Sequence, residues 1–382
     1  MSRHSNCRRR TRTDGHQDLL VPHPADGDYP WSRNGLFPVD GTRQIELAET
    51  IDEGGFDGAL VATWPNDPFI SATWAAAHTS RMKFLVAVYA NMTPARLLAE
   101  KALTFDAFSG GRLMINSVNG RENILTKYDM NVEHDRRYEL GEQYWADFHR
   151  IYAEGTESNF PNTPLRIDPP SCGHTVPLWG TGDSPAGLEN AGKVLDAYLI
   201  MLRETTFVDA KFTAARESAA AQGREYTDFG ALSGVIVRPT QAEALDRFRS
   251  LFENAGIDRI REVLDNAVRR RTHGQQDLTT FTARDAQRQG WVDTINAGKL
   301  PEPDDLYLGD GLYAGITAWS PLDIFATGSS AVYYAGTPDE ITGHVRTLRD
   351  KTGLTSLILA GWPLIDEAKY VAEHLIPRFR EL

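Results

Sequence analysis

The chain has 382 residues, 41% hydrophobic and 24% charged, with a formal net charge of −12 and two cysteines, Cys7 and Cys172. This composition excludes an intrinsically disordered chain and a disulfide framework, and it suits one large, well-packed fold in a reducing compartment. The acidic balance argues against nucleic acid as a partner, and no apolar run approaches the roughly 20 residues that cross a bilayer.

Residues 1–17 carry five arginines against one aspartate and no following apolar stretch. They read as a disordered basic N-terminal arm rather than a secretory signal, which makes the cytoplasm the expected location. From residue 18 onward, apolar runs of strand length fall at 19–22, 58–62, 84–90, 113–118, 177–180, 195–201, 231–237 and 356–360, separated by amphipathic stretches of helical length. Such alternation predicts repeated β–α units on a parallel sheet, with several strands covered on both faces. Eight units in this length predict an α/β fold, a (β/α)8 TIM barrel forming a single domain over 18–382, with an open doubly wound sheet as the alternative.

Helix starts are written into the intervening stretches. Thr93-Pro94, Ser184-Pro185 and Thr337-Pro338 each set a capping hydroxyl before a proline, and Thr240 with Glu243 and Thr337 with Glu340 have capping-box spacing. Ser109-Gly110-Gly111 ends the helix whose first residue is predicted to be Pro94. Residues 254–334 break the alternation: they are rich in Arg, Asp, Gln, Gly and Pro, offer helical fragments and little strand signal, and predict a long polar insertion between strands 7 and 8.

Several motifs fail on chemical grounds. The run from Gly187 to Gly192-Lys193-Val194 has Walker A spacing, but Val194 replaces the hydroxyl that ligates magnesium, and the stretch reads as helix. In Gly182-Asp183-Ser184-Pro185-Ala186, a hydrolase elbow would need an N–H from the residue after the serine, and Pro185 has none. There is no His-Glu-x-x-His or Cys-x-x-Cys pattern, so no metal site is predicted. What remains at Ser184 is a helix N-terminus after a strand, either a phosphate cradle or an ordinary N-cap. After the fourth strand, Asn116-Ser-Val-Asn119-Gly120-Arg121-Glu122 and then His134-Asp-Arg-Arg137-Tyr138 lie where barrel active sites lie. They can grip a polar heterocycle and its phosphate, or Asp135 and the arginines can simply support a helix start. His134, with an ordinary pKa of about 6.5, is the candidate for handling a proton, with helix-cap or phosphate support as the alternative.

Taken together, residues 109–120, the Arg137-Tyr138 pair, the 181–187 turn and Ala360-Gly361-Trp362-Pro363 resemble the bacterial luciferase-like flavin monooxygenases, in particular the branch of alkanesulfonate monooxygenase and pyrimidine oxygenase. The resemblance runs from about residue 19 to 382. It implies a (β/α) barrel that takes reduced FMN (FMNH2) from a separate NAD(P)H-dependent FMN reductase and uses O2 to insert one oxygen atom into a small-molecule substrate. It implies that Ser184, Arg137 and Tyr138 hold the FMN phosphate, that Asn116 and Glu122 border the ring or ribityl chain, and that Thr63 and Trp64 lie beneath the ring. His134, Trp64 and Trp362 are then the catalytic candidates, the insertion is a lid that keeps water from the flavin, and the assembly is a homodimer or homotetramer.

The departures bear on the substrate. Pro65 replaces the branch's cysteine, Leu232 and Gly234 replace its arginine and histidine, Trp362 replaces a tyrosine, and no lysine or arginine lies between Lys299 and Arg346 to hold a sulfonate. With Trp64, Tyr89 and Trp362 the pocket reads as aromatic, and the expected substrate is uncharged or weakly polar. A deazaflavin-dependent oxidoreductase and a non-catalytic flavin-binding barrel are the competing readings.

Overall fold

The computed structural model describes residues 17–20, 26–29, 31, 37–63, 66–120, 125–130, 132–158, 162, 165–170, 175–328, 330 and 332–382, with the side chains of 17–20, 134 and 135 outside the description. The basic arm through residue 16 and the cysteines also lie outside the described residues. The strands are β1 (Gln17–Leu20), β2 (Gly58–Val61), β3 (Lys83–Tyr89), β4 (Leu113–Val118), β5 (Thr156–Glu157), β6 (Arg166–Ile167), β7 (Leu178–Gly180), β8 (Ala197–Met201), β9 (Asp228–Val237), β10 (Tyr307–Gly309), β11 (Leu312–Ala314), β12 (Val332–Gly336) and β13 (Ser356–Ala360). All eight predicted strands are present, as β1 to β4, β7, β8, β9 and β13.

The chain divides into two compact units, one of Met1–Val21, Phe56–Leu199 and Ala210–Gly230, the other of Pro22–Gly55, Ile200–Asp209 and Ala231–Leu382. In the first, β1, β2, β3, β4, β7 and β8 follow one another as neighbours, every pairing parallel. The strands of this ladder with described side chains are almost wholly buried, with β2 reading buried at all four positions, because helices cover them. Phe84 on β3 meets Phe105 of the Ala95–Ser109 helix edge-on at 5.5 Å. Gly110, left-handed at φ 77°, stops that helix, and the buried Asp106 carboxylate accepts the Leu113 N–H at 3.0 Å and the Tyr152 hydroxyl at 2.6 Å, which sets the start of β4.

In the second unit β9 pairs in parallel with β12, and β12, β11 and β10 are joined antiparallel. Capping boxes at Thr240/Glu243 and Thr337/Glu340 open the Gln241–Ala255 and Pro338–Thr352 helices as predicted. The expected Thr93 cap does not form: the Ala95–Ser109 helix takes Pro94 at the cap position, with no side-chain cap hydrogen bond.

The segment 254–334 is more ordered than its polar composition suggests. It contains the Ile257–Arg271 and Ala286–Asn296 helices and the strands β10, β11 and the start of β12, where little strand signal was read. Its sparse apolar residues, among them Ile260, Leu264, Trp291, Val292 and Ile295, converge with Phe248 and Phe252 of the preceding helix into one buried cluster. Helical spacing concentrates a minority of apolar side chains on one face, so an overall polar stretch still builds a core.

Candidate functional site

In the first unit the ends of β2, β3, β4 and β7 carry a contiguous set of polar groups. Thr63, just beyond β2, donates its hydroxyl to the Tyr89 hydroxyl at the end of β3 (3.3 Å). Tyr89 in turn lies against Gly120 after β4: a Cβ built on Gly120 would stand 3.2 Å from the Tyr89 ring and 2.7 Å from Leu125, and φ is 73° there, so the position needs glycine. The Gly120 carbonyl accepts from an Arg137 Nη at 3.4 Å, while Arg137 Nε donates to the Val132 carbonyl at 2.9 Å. One residue further on, the Tyr138 hydroxyl is 3.4 Å from the Ser184 hydroxyl in the turn after β7.

Asn116 belongs to the same rim by strand register. Its neighbour Ser117 accepts the Trp145 Nε1 hydrogen bond (3.0 Å) from the covering helix, so Asn116 projects from the opposite face, where it is in register with Ala87 of β3 and Trp179 of β7. Asn119 Nδ2 donates to the Thr181 carbonyl at 3.3 Å and ties the segment after β4 to the turn after β7.

That turn is shaped by close approach. A Cβ on Gly182 would fall 2.1 Å from the Gly187 carbonyl oxygen, and one on Gly187 would meet the Tyr138 hydroxyl at 2.8 Å and the Ser184 Oγ at 3.0 Å. Ser184 caps the Pro185–Val194 helix by accepting the Gly187 N–H at 3.0 Å, and no acidic residue sits in that helix's first turn. The buried Tyr198 hydroxyl donates to the Gly182 carbonyl at 2.8 Å; burial, with Asp183 nearby, raises its pKa. Asp183, the negative charge beside the cap, is paired with Lys211 at 2.8 Å.

The residues at this rim fit a phosphate-bearing cofactor. A helix N-terminus faces it, two glycines leave room where side chains would clash, and Arg137 and Lys211 outnumber Asp183 in charge. Sequence reasoning singled out Ser184, Arg137, Tyr138, Asn116 and Thr63, and all five belong to this connected rim. It missed Lys211, which no local pattern marks, and Asn190, which donates to the Tyr138 carbonyl at 2.9 Å. Asn190 lies three residues after Gly187 on one helical face, and that spacing could have revealed it.

Trp64, Pro65 and Glu122 lie outside the described residues, and so does the side chain of His134, whose backbone opens the His134–Glu154 helix. Trp362 belongs to the second unit, after the end of β13, where it is 3% exposed. In the same unit the ring of Tyr333 occupies the space beside Gly234, where a Cβ would come within 2.3 Å of it. Among the described residues no group of three or more His, Cys, Asp or Glu could hold a metal, and no helix is long and apolar enough to cross a membrane.

The chain is similar to several solved structures. Riboflavin lyase, solved with modified FMN and riboflavin, matches at 16% identity over 96% of this chain and 92% of that one, with a TM-score of 0.70. EDTA monooxygenase from Chelativorans sp. BNC1 matches at 16% identity over 96% and 94%, TM-score 0.67. Coenzyme F420-dependent tetrahydromethanopterin reductase from Methanopyrus kandleri matches at 16% identity over 96% and 99%, TM-score 0.60. These likenesses establish the fold, the α/β TIM barrel with a mostly parallel sheet. The model of the luciferase-like monooxygenases matches residues 23–356, most of the chain and all of the rim built by β2, β3, β4 and β7. The chain therefore belongs to the luciferase-like monooxygenase family.

Proposed function

We propose that this chain is the oxygenase component of a two-component system: it takes FMNH2 from an NAD(P)H-dependent FMN reductase and inserts one oxygen atom of O2 into a small organic molecule. The observation that carries this reading is the connected rim from Thr63 through Tyr89, Gly120 and Arg137 to Tyr138 and Ser184. In it, Ser184 and Tyr138 offer hydroxyls to the FMN phosphate, Arg137 supplies charge and Asn116 borders the ring or ribityl chain. Bound FMNH2 supplies the reaction with dioxygen, and the chain's own residues bind, orient and exclude water. Trp64 and Glu122 keep the roles that the resemblance implies, and His134 is the candidate for moving a proton on the ground of its ordinary imidazole pKa.

The substrate we favour is uncharged or weakly polar, which sets the chain apart from the sulfonate branch it resembles. Supporting this, Tyr333 fills the space beside Gly234, where the sulfonate branch carries a histidine. Self-association as a homodimer or homotetramer is supported by the Pro68–Ala76 helix, in which Ala72 alone is buried while Ile70 and Trp74 are 72% and 48% exposed.

Anaerobic titration with FMNH2 followed by admission of oxygen and a substrate panel, scored by product mass and sulfite release, tests the reading. Oxygen uptake coupled to a product gaining 16 Da, a general consequence of one oxygen atom, supports it. Hydride transfer without oxygen uptake would favour a deazaflavin-dependent reaction, for which the likeness to a coenzyme F420-dependent reductase speaks.

A further inference from the structure

Beyond the rim, the second unit holds a buried ionic cluster that converges on the backbone around Trp362. Glu367, with its side chain 2% exposed, takes both Arg238 Nη atoms on its two carboxylate oxygens, at 2.5 and 3.0 Å, and lies 3.6 Å from Arg247 Nε. Arg238 stacks on the Tyr370 ring at 4.4 Å and Arg247 on the Tyr29 ring at 4.9 Å, which fixes the plane of each guanidinium.

The backbone on either side of Trp362 is held at Gly361, at Trp362 itself and at Leu364. Arg247 donates an Nη hydrogen bond to the Trp362 carbonyl. Glu367 packs against Gly361 so closely that a Cβ there would sit 2.4 Å from its own Cβ. On the far side, the buried Asp26 accepts the Leu364 N–H at 3.0 Å and is held by Arg43 at 2.6 Å. The side chain of Trp362 contrasts with this clamped backbone: it is buried, and its indole N–H has no hydrogen-bond partner among the described residues. A buried N–H left unmade is costly, and in native proteins such groups are rare.

We propose that Glu367, Arg238 and Arg247 are positioning residues that hold the Trp362 backbone so that its indole N–H is presented to a hydrogen-bond acceptor on the substrate. The cluster itself touches no reacting atom. The position of Trp362 after a barrel strand's C-terminal end is where such folds build their sites. The substrate class that follows is a neutral molecule bearing a carbonyl, sulfoxide, ether or similar acceptor. This last step rests on the oxygenase reading, whereas the positioning of the indole does not.

The test uses the full chain labelled with 15N-tryptophan, with the Trp362 indole signal assigned through Trp362→Phe and the other seven of the eight tryptophans as internal controls. Dimethyl sulfoxide, a strong acceptor, is the probe, and dimethyl sulfide, similar in size and a weak acceptor, is its control. We expect a saturable downfield shift of the Trp362 signal with the sulfoxide alone, and a midpoint raised about tenfold in Arg247→Met, the size of effect that losing one hydrogen bond produces. Arg247→Lys, which keeps a donor for the Trp362 carbonyl, should recover part of the response and serves as the readout if Arg247→Met fails to fold. A Trp362 signal that ignores both probes, or variants that respond like the native chain, would overturn the proposal. Because the signal is read without turnover, a chain that responds as expected yet oxygenates nothing sinks the oxygenase reading alone.

Discussion

The hydroxyl oxygens of Tyr138 and Ser184 stand 3.4 Å apart, and the same Ser184 oxygen accepts the Gly187 N–H at 3.0 Å. Two residues 46 positions apart thus share one helix N-terminus, one as its cap and the other as a neighbour on a different helix. Serine at this point does two jobs, and the predictions begin by separating them.

Ser184→Ala removes both the cap and a hydroxyl offered to phosphate. Loss of the cap should lower stability by about 1 kcal/mol. Loss of a hydrogen bond to a charged group should weaken FMN binding by about tenfold or more. Ser184→Asp retains capping capacity but adds negative charge, so it should keep the melting temperature while weakening FMN still further. Thermal unfolding and flavin fluorescence titration on the same samples separate the two effects.

The Asp183–Lys211 pair predicts a charge effect with a definite sign. Asp183→Asn should strengthen FMN binding and Lys211→Met should weaken it, each by about two- to fivefold, the scale of an exposed ion pair. Both effects should shrink as salt is raised from 0.02 to 0.5 M, because the screening length falls from about 20 Å to about 4 Å over that range. Equal affinities of the two variants at low salt would show that this pair lies away from the phosphate.

Alkaline pH should destabilise the fold by a traceable route. Burial raises the Tyr226 pKa to about 12, above its ordinary value of 10.0. The folded state therefore holds this proton where the unfolded chain releases it, so the stability it provides is complete below pH 10 and falls between pH 10 and about 12. Melting temperature followed from pH 8 to 12 should decline more shallowly above pH 10 in Tyr226→Phe than in the native chain. Tyr144, Tyr152, Tyr198, Tyr313, Tyr333 and Tyr334, which burial raises in the same direction, contribute to the remaining decline.

Trp291 tests whether the segment 254–334 is part of the folded core. It is 1% exposed, packs in the cluster with Phe248 and Phe252, and donates its indole N–H to the Asp305 carbonyl at 2.7 Å. Trp291→Ala should cost about 3–5 kcal/mol in urea unfolding. A cost below about 1 kcal/mol would mean that the segment moves independently of the cluster it packs in.

Much of the molecule was legible in the chain itself. The eight apolar runs became strands because a parallel strand covered on both faces must be apolar almost throughout, which is a local property. Ser184-Pro185, Thr240 and Thr337 became caps because a hydroxyl two or three residues before a free N–H closes its bond within one turn. Thr93 failed at the same level, since the helix after it starts at Ala95 with Pro94 in the cap position. What only the tertiary structure decided were relations across long sequence distances: Tyr138 beside Ser184, Lys211 neutralising Asp183, Tyr333 filling the space beside Gly234, and Arg238 and Arg247 gathered on Glu367. The physical reason is that capping and periodicity are settled within a few residues, whereas the partner of a charge or the filler of a gap depends on which strands and helices become neighbours.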